Sequence, residues 1–422
     1  VFPVNPGGGE ILGYPSYGSV KEISEPVDLA VFIVPAEKTL EPLRECAAKK
    51  VPAAVISSGG YAEVDEAGAR LQEEILRVAR SAGMRVIGPN TSGITSTPAR
   101  LTTTFFPLGK VRRGPVSYIA QTGNFATHTM KWISTAERFG VARVAGLGNK
   151  IDVEDSEVLD YLGRDPETRG VLMYVEGFRE PRRFLEVARR VTRKKPVVLL
   201  KGGRTKAGAQ RAFSHTASLA GNEALFDGAF RQAGIARLRR YVDLINVAKG
   251  IAFQPLPGGR RVSAMAPSGA LGVVVADACE SIGLTMASHA EPTRKRLREV
   301  TASWVNISNP VDMSAVVSLL GQVEGNRTVA ETLLQDEGGD ALVAILLASP
   351  RIPPEAYDYL PELARKHPQK PIYVSFTGDQ QAYARAKEYL EERSIPVFQP
   401  LEDVFEVLNV LCFCRERLDR EA

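Results

Sequence analysis

The sequence predicts an α/β protein built from doubly wound, mostly parallel sheets. Apolar runs of strand length, such as 29–34 and 171–175, contain no charged residue, which is typical of strands buried on both faces. Segments of helical length, such as 65–82, separate these runs, and strands that alternate with helices form parallel sheets. In such sheets ligands bind beyond the carboxyl ends of the strands, and the candidate site residues are therefore those at strand ends.

The first unit is predicted to span residues 1–112. Its expected strands are 1–4, 29–34, 53–56 and 85–87, and the turns that follow them are small or polar, so that backbone can approach a ligand closely. The candidate positions at these strand ends are Asn5, Pro6, Val34, Pro35, Ser57, Gly59 and Asn90.

Two further units, 113–255 and 259–422, form an internal repeat. Each begins with a strand, a Thr-Gly or Ser-Gly turn and a helix, and continues with an Asn-x-x-Asp sequence that starts at Asn149 or Asn309. A helix, an apolar strand and a Lys-Pro dipeptide follow in both. The copies are unequal, because only the first has a histidine loop, around His215. We therefore expect the chemistry in 113–255 and a structural or partner-binding role for 259–422.

His215 lies among the small and hydroxyl residues of 213–221, where an imidazole can be reached by more than one partner. We interpret it as a nucleophile that carries a phosphoryl group. Such an imidazole must be neutral, and a carboxylate on its other nitrogen fixes the tautomer. Glu176, directly after the strand 171–175, is the candidate acid. Taken alone, these residues are equally compatible with a loop histidine without chemistry and a solvated acid at a strand end.

A candidate phosphate site follows the predicted strand 116–120, where a helix begins. The N–H groups and the dipole at a helix N-terminus attract phosphate. A tight turn capped by Thr122 is nevertheless the commoner role of such a sequence. Asn149 and Asp152 could line the same site or hold Mg²⁺ indirectly, and equally Asp152 could cap a helix. The residues at the start of the helix that follows the strand 116–120 are Gln121, Thr122, Gly123 and Asn124.

Composition excludes several classes of function. The 422 residues include 53 Lys and Arg against 49 Asp and Glu, and these charges are scattered, which suits small anionic ligands better than nucleic acid. The four cysteines form no disulfide or zinc pattern, and we predict no metal site in this chain. No apolar run approaches the ~20 residues of a membrane span, and no signal peptide is recognisable. We expect a cytoplasmic protein without a membrane or nucleic-acid partner.

Several of these sequences also carry a family resemblance. In their order along the chain they resemble the α subunits of NDP-forming acyl-CoA synthetases, such as ADP-forming acetyl-CoA synthetase, which are relatives of succinyl-CoA synthetase. The resemblance covers essentially the whole chain and implies a Rossmann-like CoA-binding domain followed by two flavodoxin-like doubly wound domains. The sequences that carry it include Val4-Asn5-Pro6, Val34-Pro35-Ala36, Gly88-Pro89-Asn90, Gln121-Thr122-Gly123, Gly148-Asn149 and Ser214-His215-Thr216.

The resemblance implies roles for these residues. His215 would be the phosphohistidine, Glu176 its orienting acid and 121–124 the phosphate cradle, while Asn5, Pro35 and the loop 57–60 would border CoA. The reaction implied is the reversible conversion of acyl-CoA, ADP and phosphate to free acid, ATP and CoA through an acyl phosphate. ADP, ATP and Mg²⁺ would bind to an ATP-grasp β subunit, in a hetero-oligomer such as α2β2.

Departures from the family keep an alternative open. The family's first strand and glycine-rich CoA loop would precede Val1, and Thr91 and Ala217 stand where many members have Cys and Gly. The alternative is a non-catalytic regulatory protein that binds CoA or acyl-CoA on the same fold. A dinucleotide-dependent oxidoreductase is disfavoured, because no G-x-G-x-x-G follows a strand and Asn5 stands where a ribose-binding acid is expected.

Overall fold

A computed structural model gives the fold of the chain and describes residues 1–208, 210–211, 223–303 and 305–418, with only the backbone described at 124. It contains three parallel or mostly parallel sheets, one in each predicted unit. The α/β fold class is therefore confirmed. No helix in the described ranges is long and apolar enough to cross a membrane.

The first unit is centred on a small parallel sheet. Its elements are β1 (Glu10–Ile11), β2 (Tyr14–Pro15), β3 (Ala30–Phe32), α1 (Leu40–Ala48), β4 (Ala53–Ile56), α2 (Glu66–Ser81) and β5 (Arg85–Ile87). The sheet has the order β3-β4-β5, and β1 and β2 form a separate antiparallel pair. Asp65 caps α2 by accepting a hydrogen bond from the Gly68 N–H at 2.8 Å, and Ile75 and Ala79, four residues apart, bury one face of the helix.

The structure corrects the prediction of a strand at 1–4. This segment makes only an isolated bridge between Val4 and Tyr17 and does not join the sheet. Pro3 and Pro6 lack the N–H groups that a strand ladder needs, and Val1 and Phe2 are exposed.

The middle unit has a seven-stranded sheet in the order β12-β11-β10-β8-β9-β6-β7. Its elements are β6 (Ile94–Ser96), β7 (Leu101–Thr102), β8 (Arg113–Ala120), α3 (Gly123–Ala136), β9 (Val141–Gly146), α4 (Asp155–Arg164), β10 (Gly170–Val175), α5 (Pro181–Thr192), β11 (Val197–Lys201), α6 (Glu223–Gln232), β12 (Ala236–Leu238) and α7 (Tyr241–Phe253). The antiparallel pairings in this sheet are those that β6 makes with β7 and with β9. They lie within the stretch 1–112, yet β6 pairs with β9, so that the end of this stretch extends the middle sheet.

The last unit repeats this topology. Its elements are β13 (Arg261–Ala266), α8 (Gly269–Glu280), β14 (Thr285–Met286), α9 (Glu291–Glu299), β15 (Val311–Asp312), α10 (Met313–Leu320), α11 (Gln322–Gln335), β16 (Ala341–Ala348), α12 (Tyr359–Lys366), β17 (Ile372–Gly378), α13 (Gln380–Glu391), β18 (Val397–Phe398) and α14 (Glu402–Leu418). Its strand order, β14-β13-β16-β17-β18, matches β9-β8-β10-β11-β12, and both follow the 2-1-3-4-5 order of flavodoxin-like sheets.

The middle and last units share one hydrophobic core. Buried side chains of α7, such as Leu244 and Ile251, belong to the same cluster as Phe405 and Leu408 of α14. A cluster that contains side chains of both units indicates that they dock through apolar surface.

A buried ionic network lies within this contact. Lys249, 2% exposed, donates to Glu137 at 2.9 Å, to Glu391 at 2.8 Å and to the carbonyl of Val397 at 2.8 Å. Lys387 bridges both carboxylates at 3.2 and 3.1 Å. Burial alone would lower the pKa of Lys249, but the attraction of Glu391 and Glu137 outweighs it and raises the pKa, so the amine stays charged.

We predict that Lys249→Met lowers the free energy of unfolding by about 3–5 kcal/mol, because Glu137 and Glu391 then lose a buried partner. Urea denaturation followed by circular dichroism measures the change. The matched control is Arg113→Gln, which breaks an exposed ion pair with Glu167 and should cost less than about 1 kcal/mol. Equal losses in the two variants would contradict the role given to the network.

Candidate functional site

The carboxyl edge of the middle sheet brings two of the predicted residues together. Gln121 follows β8 and Glu176 follows β10, the neighbouring strand. The amide oxygen of Gln121 accepts hydrogen bonds from the N–H groups of Glu176 at 2.7 Å and Gly177 at 3.0 Å. Gln121 thus fixes the backbone from which the Glu176 side chain extends.

Glu176 is buried, with 7% of its surface exposed, which excludes the alternative of a solvated acid at a strand end. A buried carboxylate is destabilising unless it is hydrogen-bonded, and Tyr174 Oη donates to Glu176 Oε1 at 3.1 Å. Burial raises the pKa of Tyr174 well above its usual range, and the charge of Glu176 raises it further. The phenol therefore remains protonated and acts as the donor of this hydrogen bond.

The start of α3 lies at the same edge. Thr122 occupies the N-cap position with extended backbone, but its side chain makes no capping hydrogen bond in the described part of the chain. The alternative of a turn capped by this side chain is therefore not what the structure has. The first N–H groups of an α-helix have no partner within the helix, so this helix start is suited to an anion.

Gly123 is required by a close approach between backbones. A side-chain Cβ at this position would lie 2.6 Å from the backbone nitrogen of Ser92. The segment that contains Ser92 is fixed by Thr91, whose Oγ1 donates to the carbonyl of Gly146 at 2.6 Å. The end of the first unit therefore covers one side of the helix start.

Asn149 faces the first unit. Its amide nitrogen donates to Glu63 Oε2 at 2.6 Å and to Gln72 Oε1 at 2.9 Å. Burial would raise the pKa of Glu63, but the hydrogen bonds from Asn149 and from backbone N–H groups, that of Gly60 among them, outweigh it and lower the pKa. Both donor hydrogens of Asn149 are thus used between the two units.

Asp152 also holds the units together. Instead of capping a helix, it accepts hydrogen bonds from Arg85 Nε at 2.8 Å and from the N–H of Val86 at 2.9 Å. The N-cap position of α4 is Glu154. The cap alternative for Asp152 is therefore wrong, because the nearest backbone donor that it reaches lies on β5 and not at the helix start.

A second candidate site lies at the carboxyl ends of β4 and β5. The Asn90 N–H donates to the carbonyl of Ser58 at 2.8 Å, and a Cβ on Gly59 would lie 3.4 Å from Asn90 Oδ1. Asn90 has a φ of 59°, a left-handed conformation that asparagine tolerates better than most residues. Ser57 Oγ is buried without a hydrogen-bond partner among the described residues. Ser57, Gly59 and Asn90 thus lie together.

The residues after β3 lie beside this loop, whereas those near the N-terminus are not linked to it. The Ser57 N–H donates to the carbonyl of Phe32 at 2.9 Å, two residues before Val34 and three before Pro35. Asn5 Oδ1 instead accepts from the Gly7 N–H at 2.9 Å in an exposed turn that includes Pro6. Within the described ranges, no hydrogen bond joins this turn to the loop 57–60.

The predicted nucleophile His215 lies outside the described residues. A residue close to the same sheet edge that our sequence reasoning missed is Lys201, the last residue of β11, which pairs with Val175. Its amine is buried, donates to the carbonyl of Gly202 at 2.6 Å and lies 5.0 Å from the ring centroid of Phe226. Burial lowers the pKa of Lys201. The signal in the sequence was a lysine that ends an apolar strand.

The described part of the chain contains no cluster of three or more His, Cys, Asp or Glu side chains that could hold a metal ion. This edge of the sheet presents a carboxylate, amide groups and the N–H groups of a helix start.

Backbone contacts bring the first unit close to this edge. The N–H of Asn149 donates to the carbonyl of Pro89 at 2.9 Å, and that of Ile151 to the carbonyl of Gly88 at 3.2 Å. Gly148 has a φ of 60°, and a Cβ there would overlap the carbonyl oxygen of Pro89. The second candidate site, around Asn90, is thereby held next to the middle sheet.

Known protein families match the first and the middle unit of the chain. Residues 1–97 match the family described as a CoA binding domain, and 113–251 match the succinyl-CoA ligase like flavodoxin domain. The α subunit of acetate–CoA ligase [ADP-forming] II from Pyrococcus furiosus is 36% identical over 408 residues, which are 96% of this chain and 87% of that subunit. The acetate–CoA ligase [ADP-forming] II of Archaeoglobus fulgidus is also 36% identical over 97% of this chain, which spans only 60% of that longer protein.

Solved structures give the same result. The dinucleotide forming acetyl-coenzyme A synthetase 1 of Ca. Korarchaeum cryptofilum, solved in complex with phosphate and ADP, superposes with a TM-score of 0.91 at 28% identity. The superposition covers 100% of this chain and 90% of that chain. The likeness therefore extends over all three units.

We predict that Gly148→Ala destabilises the docking of the first unit. The substitution adds the cost of a left-handed alanine, about 1 kcal/mol, to an overlap with Pro89 that costs about 1–3 kcal/mol. Gly283→Ala is the matched control, because Gly283 has a φ of 84° and open space around it. The unfolding temperature should fall further in Gly148→Ala than in Gly283→Ala. An equal or smaller fall in Gly148→Ala would contradict the role given to the contact between Gly148 and Pro89.

Proposed function

Because the chain belongs to the α-subunit family of ADP-forming acyl-CoA synthetases, which are acid–thiol ligases, we propose that it converts acyl-CoA, ADP and phosphate reversibly to free acid, ATP and CoA. The observation that carries the proposal is the buried Glu176 carboxylate, which lies beside Gln121 at the edge where α3 begins. In this proposal, residues 1–112 bind CoA, 113–255 carry the phosphohistidine and 259–422 form the second ligase domain.

The proposed reaction has three steps. A phosphate oxygen attacks the thioester carbonyl, and the carbon–sulfur bond breaks to give acyl phosphate and CoA. A nitrogen of His215 then attacks the phosphorus, and the free acid leaves as its carboxylate. Finally, a β-phosphate oxygen of ADP takes the phosphoryl group from the histidine to give ATP.

Each step uses groups of this chain. Glu176 accepts the N–H of the imidazole, which leaves the other nitrogen unprotonated and able to attack phosphorus. The first N–H groups of α3, at Thr122, Gly123 and Asn124, hold phosphoryl oxygens. The Gln121 side chain holds the backbone of Glu176 in place. Asn149 keeps the CoA-binding unit next to the phosphate site.

CoA would bind at the ends of the first-unit strands. Ser57 Oγ supports this proposal, because it is a buried hydroxyl without a partner among the described residues. The exposed loop at Gly59 and the Asn90 side chain would complete the site, together with Val34 and Pro35. Asn5 and Pro6 would border CoA from the exposed turn.

We propose that the nucleotide and Mg²⁺ bind to an ATP-grasp β subunit. Two of the Pyrococcus furiosus relatives are named as α subunits, which implies a partner. Mg²⁺ would neutralise nucleotide phosphates on that partner. We expect a hetero-oligomer such as α2β2 that acts in the cytoplasm, where the unpaired cysteines of this chain, all of them buried in the described ranges, would stay reduced.

We predict that the chain is phosphorylated on His215. The full-length protein would be mixed with an ATP-grasp β subunit, Mg²⁺ and radiolabelled ATP. An acid-labile, alkali-stable label should form, His215→Asn should abolish it, and Glu176→Gln should slow it about a hundredfold or more. If the partner binds but the chain takes up no label, the synthetase proposal fails and a CoA-binding regulatory protein is favoured.

We also predict that Ser57→Ala weakens CoA binding about fivefold, because the variant loses one hydrogen bond of about 1 kcal/mol. Isothermal titration with CoA measures the affinity. Ser263→Ala in β13 is the control, since Ser263 Oγ is likewise buried without a partner in the described residues but lies in the last unit. Unchanged affinity in Ser57→Ala would remove Ser57 from the site.

A further inference from the structure

We propose that Tyr174 is a positioning residue for phosphoryl transfer. Its phenol holds one oxygen of Glu176, so that the carboxylate presents the other oxygen to the imidazole. This inference rests on the proposed function, in which Glu176 orients His215, and it identifies what orients Glu176.

The hydrogen bond sets the plane of the carboxylate. Tyr174 Oη lies 3.1 Å from Glu176 Oε1, and the two residues are two positions apart at the end of β10. The N–H of Glu176 is held at the same time by Gln121. Backbone and side chain of the acid are therefore fixed by two different neighbours.

The Tyr174 ring is itself held in place by stacking. It lies on the ring of Phe125 with centroids 3.8 Å apart and an angle of 13° between planes. Tyr241 of α7 packs edge-on against Phe125, with the ring centroids 5.2 Å apart. Because Phe125 lies in the first turn of α3, the acid and the proposed phosphate cradle are joined through one pair of rings.

A glycine after the neighbouring strand leaves room for the Tyr174 phenol and the Glu176 side chain. Gly202 follows β11, and a Cβ at this position would lie 2.9 Å from Tyr174 Oη and 3.2 Å from Glu176 Cγ. Both distances are shorter than ordinary van der Waals contact. Only glycine at 202 therefore allows the phenol and the carboxylate to meet without displacement.

The chemical consequence concerns the tautomer of the histidine. A carboxylate with a fixed plane accepts the imidazole N–H in one orientation, and the opposite nitrogen stays free for phosphorus. Without the phenol, Glu176 can rotate about its terminal bond and accepts that N–H in more than one orientation. Fewer histidines then have the attacking nitrogen correctly placed.

The test is Tyr174→Phe, which removes the hydroxyl and keeps the ring. We expect phosphohistidine to form about tenfold to a hundredfold more slowly, as for the loss of a hydrogen bond to a charged group. CoA affinity should stay unchanged, whereas the unfolding temperature should fall, because the buried Glu176 carboxylate loses a hydrogen-bond donor. The ¹⁵N chemical shifts of the labelled His215 side chain should also move, because they report the tautomer, which a merely structural role would not alter.

Tyr241→Phe is the matched control. It removes a phenol from the same aromatic cluster, but this phenol bonds to Thr129 Oγ1 at 3.0 Å and not to the acid. Its labelling rate should remain within twofold of that of the unchanged protein. Gly202→Ala should slow labelling as Tyr174→Phe does, and combining the two should add little, because both act on the same contact.

The outcomes are distinguishable. If the unchanged protein takes up no label, the proposed function fails. If it is labelled, and Tyr174→Phe is labelled at the same rate with unchanged ¹⁵N shifts, only the positioning role is overturned. If Tyr174→Phe fails to fold, Gly202→Ala decides, and unchanged shifts and rate in that variant overturn the proposal.

Discussion

The burial of one carboxylate constrains the middle unit more than any other feature. A charge removed from water must be hydrogen-bonded, and the chain meets this requirement with the end of a strand, an amide side chain and a phenol. Gln121 fixes the backbone of Glu176 and Tyr174 holds its side chain. The rest of the edge follows from this arrangement, because the helix start, the glycine after β11 and the aromatic cluster all surround the acid.

The docking of the first unit follows a different principle. It depends on backbone contacts at Gly123 and Gly148 that no other residue would permit, and on polar side chains, Asn149 and Asp152, that reach across. Such a contact sets the distance between the two units, and Ile151 of the middle unit adds an apolar side chain to the core of the first. In the proposed reaction this is useful, because an acyl phosphate formed beside CoA must reach the histidine before water does.

The sequence predicts the parts of this structure that depend on local pattern. Apolar runs identified the inner strands, the repeat identified two similar units, and the rule that ligands bind at strand ends led to Gln121 and Glu176. Long-range partners were not predictable. Neither the pairing of β6 with β9 nor the partners of Asn149 and Asp152 leaves a periodic signal, and the Pro-containing segment 1–4 showed an apolar pattern without the N–H groups for pairing. Tyr174 was counted as one more apolar residue of its strand, because only the fold places its hydroxyl beside the acid.

The network around Lys249 has a consequence for the modular history of such chains. Each of the two flavodoxin-like units supplies one lysine and one glutamate to this network, in which Lys249 and both glutamates are buried and Lys387 is partly exposed. A last unit borrowed from a distant relative without Glu391 and Lys387 would leave Lys249 and Glu137 buried with fewer partners, and the loss of partners from a buried ionic network is destabilising. Recombination between genes of this kind should therefore be poorly tolerated near 255, between the two units, and the two repeats should be inherited as a single block.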